Sequence, residues 1–346
     1  MTSSTLALAS NDVAAGIRGK TFAITGGASL IGSHIADQLL AAGAARIRLF
    51  DNFSLGTPEN IAHLKDDARV ELVRGDVLIP ADLAAVCEGA SGLFALAGFL
   101  TLPMANNPPL GLSVNVIGMV NTLEACRAAG VKRIVFSSSV STYGNSTADT
   151  ITEDTPYTSA GLPAPSQMYG TSKLMGEALC AQYARSHGLE FNALRFSSVY
   201  GERQHARAVN ALFIAQTLER VLRGDRPEIV GDGSEVHDYI YVTDVARACL
   251  MAMTSTSSNH VLNISTAVDT TLKQVVEIVL EETGNAHLQP DYKADTRAVR
   301  SSAVAHLNFS RAKAAREIGW EPQVDVRAGI RRYIAWFRGQ AQGAAA

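Results

Sequence analysis

The sequence predicts an α/β protein: a doubly wound parallel sheet with a smaller α/β domain interleaved at its C-terminal side. Three observations predict it. Apolar, β-rich runs alternate with helical patterns through the first two thirds of the chain. Those runs are mostly continuous, as strands covered on both faces require. The first of them leads straight into a turn of small residues and then a helix, the usual opening of such a sheet.

In chain order, "KTFAITGG", "RIRLFDNF", "VELVRGD", "GLFALAG", "RIVFSSS" and "FNALRFSSV" read as strands, with helices between them over 32–42, 81–88, 112–129 and 169–187. After residue 200 the pattern loosens. A helix over 208–223 precedes "PEIVGDGSEVHDYIYV", and further helices fall near 243–253, 271–283 and 326–338. No repeat or low-complexity linker separates the halves. Residues 1–19 read as a flexible polar tail. Residues 20–195 with 235–265 read as one domain, and 196–234 with 266–340 as the second.

Composition narrows the class. The chain has 346 residues, 47% hydrophobic and 18% charged, with a net charge of −3. That is ordinary for a globular protein and offers no basic field for nucleic acid. Cys87, Cys126, Cys180 and Cys249 lie far apart and form no CxxC, which suits a reducing compartment. The start lacks the apolar core of a secretion signal, and the longest apolar run, "GLFALAGFL", is too short to span a bilayer. A cytoplasmic protein without membrane, nucleic-acid or metal partners is the expectation, and the four N-x-S/T triplets read as chance.

Chemistry starts at "TGGASLIGSH". Gly26, Gly27 and Gly32 lie between a strand and a helix that begins near Leu30. Backbone N–H groups at a helix start face an anion, and glycine lets a phosphate come close. Ser29 stands where a glycine is common; it fits if its backbone is not left-handed. Asp51, nineteen residues after Gly32, ends the second strand. A carboxylate there accepts from an adenosine ribose and repels a 2′-phosphate, so the pattern is Rossmann-type and favours NAD over NADP. Asp76 in "RGDV" either faces the adenine or caps its own loop.

A second constellation is "SQMYGTSKLMGEA". On a helix, Tyr169 and Lys173 project from one face. A tyrosine titrates near 10, and a neighbouring ammonium is expected to lower that value. The pair follows "FSSS" by thirty residues, and Ser139 ends that strand. Phosphate loop, acid, serine and Tyr–Lys pair all belong at the carboxyl edge of a parallel sheet, where ligands bind.

These motifs, with "DNFSLG", "LFALAG", "NVIGMVNTLEACRAAGVKRIVFSSSVSTYG", "LRFSSVYGERQ", "GDGSEVHDYIYVTDVARA" and "IGWEP", cover about residues 20–338. The chain resembles the extended short-chain dehydrogenase/reductases, the NAD-dependent epimerase/dehydratases, of which UDP-glucose 4-epimerase is a familiar member. The resemblance implies Tyr169 as acid/base, Lys173 as its tuning partner and ribose holder, and Ser139 as the third catalytic residue. It implies Gly26, Ser29, Gly32 and Asp51 in the NAD site, with Leu30, Ile31, Asn52, Asp76, Val77, Leu96 and Ala97 around them and Asn115 after the fourth strand. It also implies a homodimer built on helices 106–129 and 166–187.

The departures fall on the substrate side. Ser198 replaces an asparagine, and His237 in "HDYIYV" an arginine that commonly clamps a diphosphate. Ala95 replaces a histidine without expected consequence. Arg203, Arg297, Arg300 or His237 itself could take over the clamp. Three readings stay open: a nucleotide-sugar epimerase returning hydride to its substrate; an NAD-dependent alcohol dehydrogenase on a smaller, non-nucleotide substrate; and a non-catalytic NAD-binding module, which has no need of the Ser139–Tyr169–Lys173 set.

Overall fold

The structure, a computed structural model, describes residues 11–204, 212–295 and 307–344. Its strands are β1 Thr21–Thr25, β2 Arg46–Asp51, β3 Val70–Arg74, β4 Gly92–Ala95, β5 Arg133–Ser139, β6 Glu190–Phe196, β7 Ser198–Tyr200, β8 Glu228–Val230, β9 Val236–Tyr241, β10 His260–Ile264, β11 Asp269–Thr271 and β12 Asp291–Lys293. Its helices are α1 Asn11–Ile17, α2 Leu30–Ala41, α3 Pro80–Cys87, α4 Thr101–Asn106, α5 Pro108–Leu112, α6 Gly118–Ala129, α7 Ala164–His187, α8 Leu212–Leu222, α9 Val242–Thr254, α10 Leu272–Thr283, α11 Ala312–Ile318 and α12 Val326–Ala344.

Seven strands pair in parallel in the order β10-β6-β5-β4-β1-β2-β3. Strand order reverses between β1 and β4, and the crevice beyond their carboxyl ends is where such sheets take ligands. Alternation along each strand divides the core into two layers. Phe22, Ile24, Val135 and Leu194 pack with α1, α2 and α9, whereas Ala23, Ile134, Phe136 and Ala193 pack with α3, α6 and α7. A smaller lobe joins the sheet β11-β9-β7, the pair β12-β8 and helices α8, α10 and α12 around Tyr200, Tyr239, Tyr241 and Tyr333.

Four expectations change. The tail drawn over 1–19 contains α1, whose Val13 and Ile17 are buried in the first layer; apolar residues one turn apart suffice once a groove is there to take them. The helix drawn over 112–129 is α5, a π-helical turn at Ser113–Ile117, and then α6. The strand drawn through "FNALRFSSV" ends at Phe196, and β7 leaves to pair with β9. The domain boundary is also finer: β9 lies in the small sheet, while α11 and Trp320 pack on the large domain. Asp244 makes that last connection. Its carboxylate accepts from Gln323 N at 2.8 Å and Val324 N at 2.9 Å, and its carbonyl accepts from the Trp320 indole at 3.0 Å.

Candidate functional site

The glycine turn after β1 is built by close approach. Gly26 has φ +72°, and a side chain there would lie 3.0 Å from Ala97 N. A Cβ on Gly32 would fall 2.3 Å from the Gly26 carbonyl. Ser29 is extended (φ −81°, ψ 171°), so no left-handed strain arises. Its hydroxyl donates to Gly26 O at 2.6 Å and accepts from Gly32 N at 3.1 Å. The serine is therefore the N-cap of α2, and it leaves the anion-binding character of the helix start in place.

Asp51 closes the other wall. Its carboxylate accepts from Ala28 N at 3.0 Å and Phe53 N at 2.8 Å, leaving further lone pairs on the cavity side. Burial raises its pKa against those two hydrogen bonds. Asp76 caps its loop, one oxygen accepting from Leu78 N at 2.9 Å; the other accepts from Asn52 Nδ2 at 3.0 Å, and the residue lines the same cavity. Val77, Leu96 and Ala97 complete that wall. A glycine cradle, a capped helix start and a buried carboxylate are the groups an adenine dinucleotide needs, so the residues present fit NAD. Asn60, which the sequence reading missed, pins the loop by donating to Ala28 O at 3.0 Å; a lone Asn in a turn gives no signal of that.

An adjoining cavity brings Ser29, Leu30 and Ile31 together with Ser139, Tyr169 and Lys173. Tyr169 and Lys173 are 5% and 6% exposed. Ser139 Oγ donates to Ser141 Oγ and accepts from Ser141 N, each at 3.1 Å, and its hydroxyl acts on the phenol to lower its pKa. The expected lowering of Tyr169 by Lys173 does not occur in this protein alone. Burial pushes the phenol up to about 12, with only Ser139 opposing, and pulls the lysine down to about 8 against Glu177. Lys173 Nζ donates to Ser137 O at 2.8 Å and sits 5.8 Å from the Tyr169 ring centre. Desolvation thus outweighs mutual attraction for both groups.

Asn115 lines neither cavity. Its amide accepts from Phe99 N at 2.7 Å and donates to Phe99 O and to Ser172 Oγ, each at 3.0 Å. It is a brace between the loop after β4 and α7, presented by the π-helical turn, rather than a cofactor contact. Glu177, also missed, extends the Tyr169–Lys173 face by one more turn. It accepts from Arg195 at 2.9 and 2.7 Å and from Ser138 at 2.5 Å, all within the core. The four-residue spacing in "YGTSKLMGE" was the available signal.

The substrate candidates separate. Arg203 lines the cavity that holds Ser139, Tyr169 and Lys173. Ser198 and His237 lie outside its wall and are occupied with each other and with Glu235: Ser198 Oγ is 3.5 Å from His237 Nδ1, and His237 Nε2 is 3.0 Å from Glu235 Oε1. His237 keeps its expected place among the candidate substrate residues; its imidazole lies against Tyr239, with ring centres 5.1 Å apart. Arg297 and Arg300 lie outside the described residues. Among the described residues there is no cluster of three metal-ligating side chains, and no helix is long and apolar enough to cross a membrane.

Comparison with known proteins places this geometry. The model of the NAD-dependent epimerase/dehydratase family matches residues 22–265. The UDP-glucose 4-epimerase of Mycolicibacterium smegmatis is 30% identical over 323 residues, which is 92% of this chain and 99% of that protein. The crystal structure of the Thermotoga maritima UDP-glucose 4-epimerase with UDP-glucose superposes with a TM-score of 0.82 at 30% identity, covering 93% of this chain and 99% of the other. The Thermus thermophilus UDP-glucose 4-epimerase complexed with NAD gives a TM-score of 0.77 at 30% identity, covering 92% and 99%.

Proposed function

This chain belongs to the NAD-dependent epimerase/dehydratase family, and from that premise we propose that it is a nucleotide-sugar 4-epimerase. One observation carries the reading: Ser139, Tyr169 and Lys173 share a cavity with the N-terminus of α2, and that cavity shares Ser29, Leu55, Leu96 and Gly98 with the wall of the Asp51 pocket. Bound NAD supplies reversible hydride acceptance from a sugar carbon. The chain's own residues handle the proton. Tyr169 takes it from the sugar hydroxyl at the phenol oxygen and returns it, Ser139 orients that hydroxyl, and Lys173 contributes positive charge beside the phenolate.

The test is incubation with UDP-glucose. UDP-galactose formed without net absorbance at the NADH wavelength supports the reading. The His237–Glu235 pair favours a second reading, an NAD-dependent alcohol dehydrogenase on a smaller substrate, because a carboxylate beside the imidazole suits a diphosphate poorly. NADH released from a simple alcohol, with every nucleotide sugar inert, would replace the first reading with this one.

The proposal includes a cytoplasmic homodimer. Leu110, Leu112 and Ile117 on one helical segment and Met175 on α7 are 39%, 40%, 52% and 49% exposed, which supports a shared apolar face on the two segments expected to pair. The four cysteines are all unbridged, in keeping with a reducing compartment.

A further inference from the structure

Glu202 and Arg203 follow β7 and both reach back to α2. Glu202 Oε2 lies 3.7 Å from His34 Nε2, and Arg203 Nη2 donates to Asp37 Oδ2 at 2.6 Å. His34 and Asp37 are three residues apart on one helix face, and Ile31, a further turn toward the helix start, lines the catalytic cavity. Asp37 is held at its other oxygen by His63 at 2.7 Å. Arg203 adopts φ +67°, a left-handed backbone rare for a side chain of its size. The surroundings therefore hold the arginine in a costly position.

What that position achieves is visible at the guanidinium. One nitrogen is committed to Asp37. The other, Nη1, is buried and has no hydrogen-bond partner among the described residues, although the residue is part of the cavity wall with Ser29, Leu30 and Ile31. A buried donor of this kind is unfavourable unless a ligand satisfies it. A guanidinium suits phosphate oxygens, and the neighbouring helix start favours the same anion.

Resting on the reading of the cavity as an NAD site, we propose that Arg203 is a cofactor-binding residue: its Nη1 donates to the diphosphate of NAD at the start of α2, and Asp37 holds it in place. The C-terminal lobe then contributes directly to cofactor retention. The same chemistry could serve the diphosphate of a nucleotide sugar; the tether to Asp37 on α2, the helix whose start lines the cavity, assigns it to the cofactor.

The experiment titrates wild type, Arg203→Met and Arg203→Lys with NAD, and measures the KM for UDP-glucose at saturating NAD. Arg203→Met should weaken NAD by about tenfold or more, with Arg203→Lys between it and wild type, because a charged hydrogen bond is lost or made less directional. NAD affinity within about twofold of wild type in Arg203→Met overturns the proposal, as does a raised KM for UDP-glucose with NAD affinity unchanged. Should Arg203→Met fail to fold, Asp37→Asn carries the test. It loosens the tether and keeps the guanidinium, so NAD affinity should fall by about threefold; unchanged affinity counts against the assignment. A wild-type protein that binds no NAD would overturn this proposal and the cofactor reading together, a result distinct from failure of the variants alone.

Discussion

The ammonium of Lys173 donates to the carbonyl of Ser137 at 2.8 Å, one residue below Ser138 and two below Ser139 on β5. Helix and strand are thereby locked in register, and Tyr169, one turn earlier on α7, is brought against Ser139. The bond fixes where the lysine's charge sits. It also buries that charge, which has consequences for stability as well as for chemistry.

An unfolded lysine titrates near 10.4, whereas burial pulls Lys173 down to about 8. Between these values the unfolded chain holds more protons than the folded one, so this group makes stability rise with pH from about 8 to about 10. Tyr169 acts in the next window. It is held up at about 12 against about 10 when unfolded, so its stabilising contribution is full below about pH 10 and is lost as pH rises from about 10 to about 12. In NAD-free protein, the urea midpoint of wild type should rise relative to Lys173→Met between about pH 7.5 and 9.5, with a full difference of order 3 kcal/mol. Identical pH dependence in the two proteins would show that Lys173 is not desolvated.

Tyr169→Phe removes the proposed acid/base and leaves the packing of the ring. Turnover of UDP-glucose should fall by about 100- to 10,000-fold while NAD titrates as in wild type. Near-normal turnover would place the proton transfer on another group.

Asp51 should set cofactor choice. Wild type should bind NAD in preference to NADP, and Asp51→Ala should narrow that preference by about tenfold or more by removing both the acceptor and the repelling charge. Because Asp51 also holds Ala28 N, overall affinity will drop as well. The ratio of the two dissociation constants, read by calorimetry, is the informative quantity. A ratio unaffected by the substitution would mean that Asp51 only shapes the loop.

Glu177 and Arg195 form a core ion pair one turn beyond Lys173, 8% and 7% exposed in their side chains. Glu177→Ala leaves a buried guanidinium without its carboxylate and should cost about 3–5 kcal/mol in urea unfolding. The double replacement Glu177→Met, Arg195→Leu should recover most of that loss, since the isolated charge is gone. A double variant as unstable as the single one would show that the pair's value lies in its other contacts, to Ser138 and to the Glu153 carbonyl.

Ile117→Asp tests the assembly. Placing a charge at the half-exposed centre of the apolar face should convert a dimer into monomers by light scattering without changing the urea midpoint of the subunit by more than about 1 kcal/mol. A wild-type monomer at micromolar concentration removes the dimer from the reading.

Much of this was legible in the chain because the relevant physics is local. Strands covered on both faces are mostly apolar, so six of the seven large-sheet strands could be read from their apolar runs, including the half-exposed edge strand β3. The phosphate turn depends on glycines a few residues apart and on a helix start, and Tyr169 and Lys173 share a face by helical spacing alone. Even the departure at Ser29 could be read correctly, since a small extended residue can cap a helix.

What tertiary structure decided lies between residues far apart in sequence. Arg203 meets Asp37 across 166 positions, and Arg195 meets Glu177 across an entire strand–helix layer. No spacing rule announces either pair. His237 illustrates the same limit from the other side: its neighbours keep the family pattern, yet the partners of its imidazole, Glu235 and Ser198, are set by the packing of three strands' worth of chain rather than by that pattern. Titration is likewise a property of burial. The sequence placed Tyr169 beside Lys173 and so suggested mutual attraction. The packed protein removes both from water, and the desolvation that follows moves each away from its charged form, a term that exists only once the surrounding layers are in place.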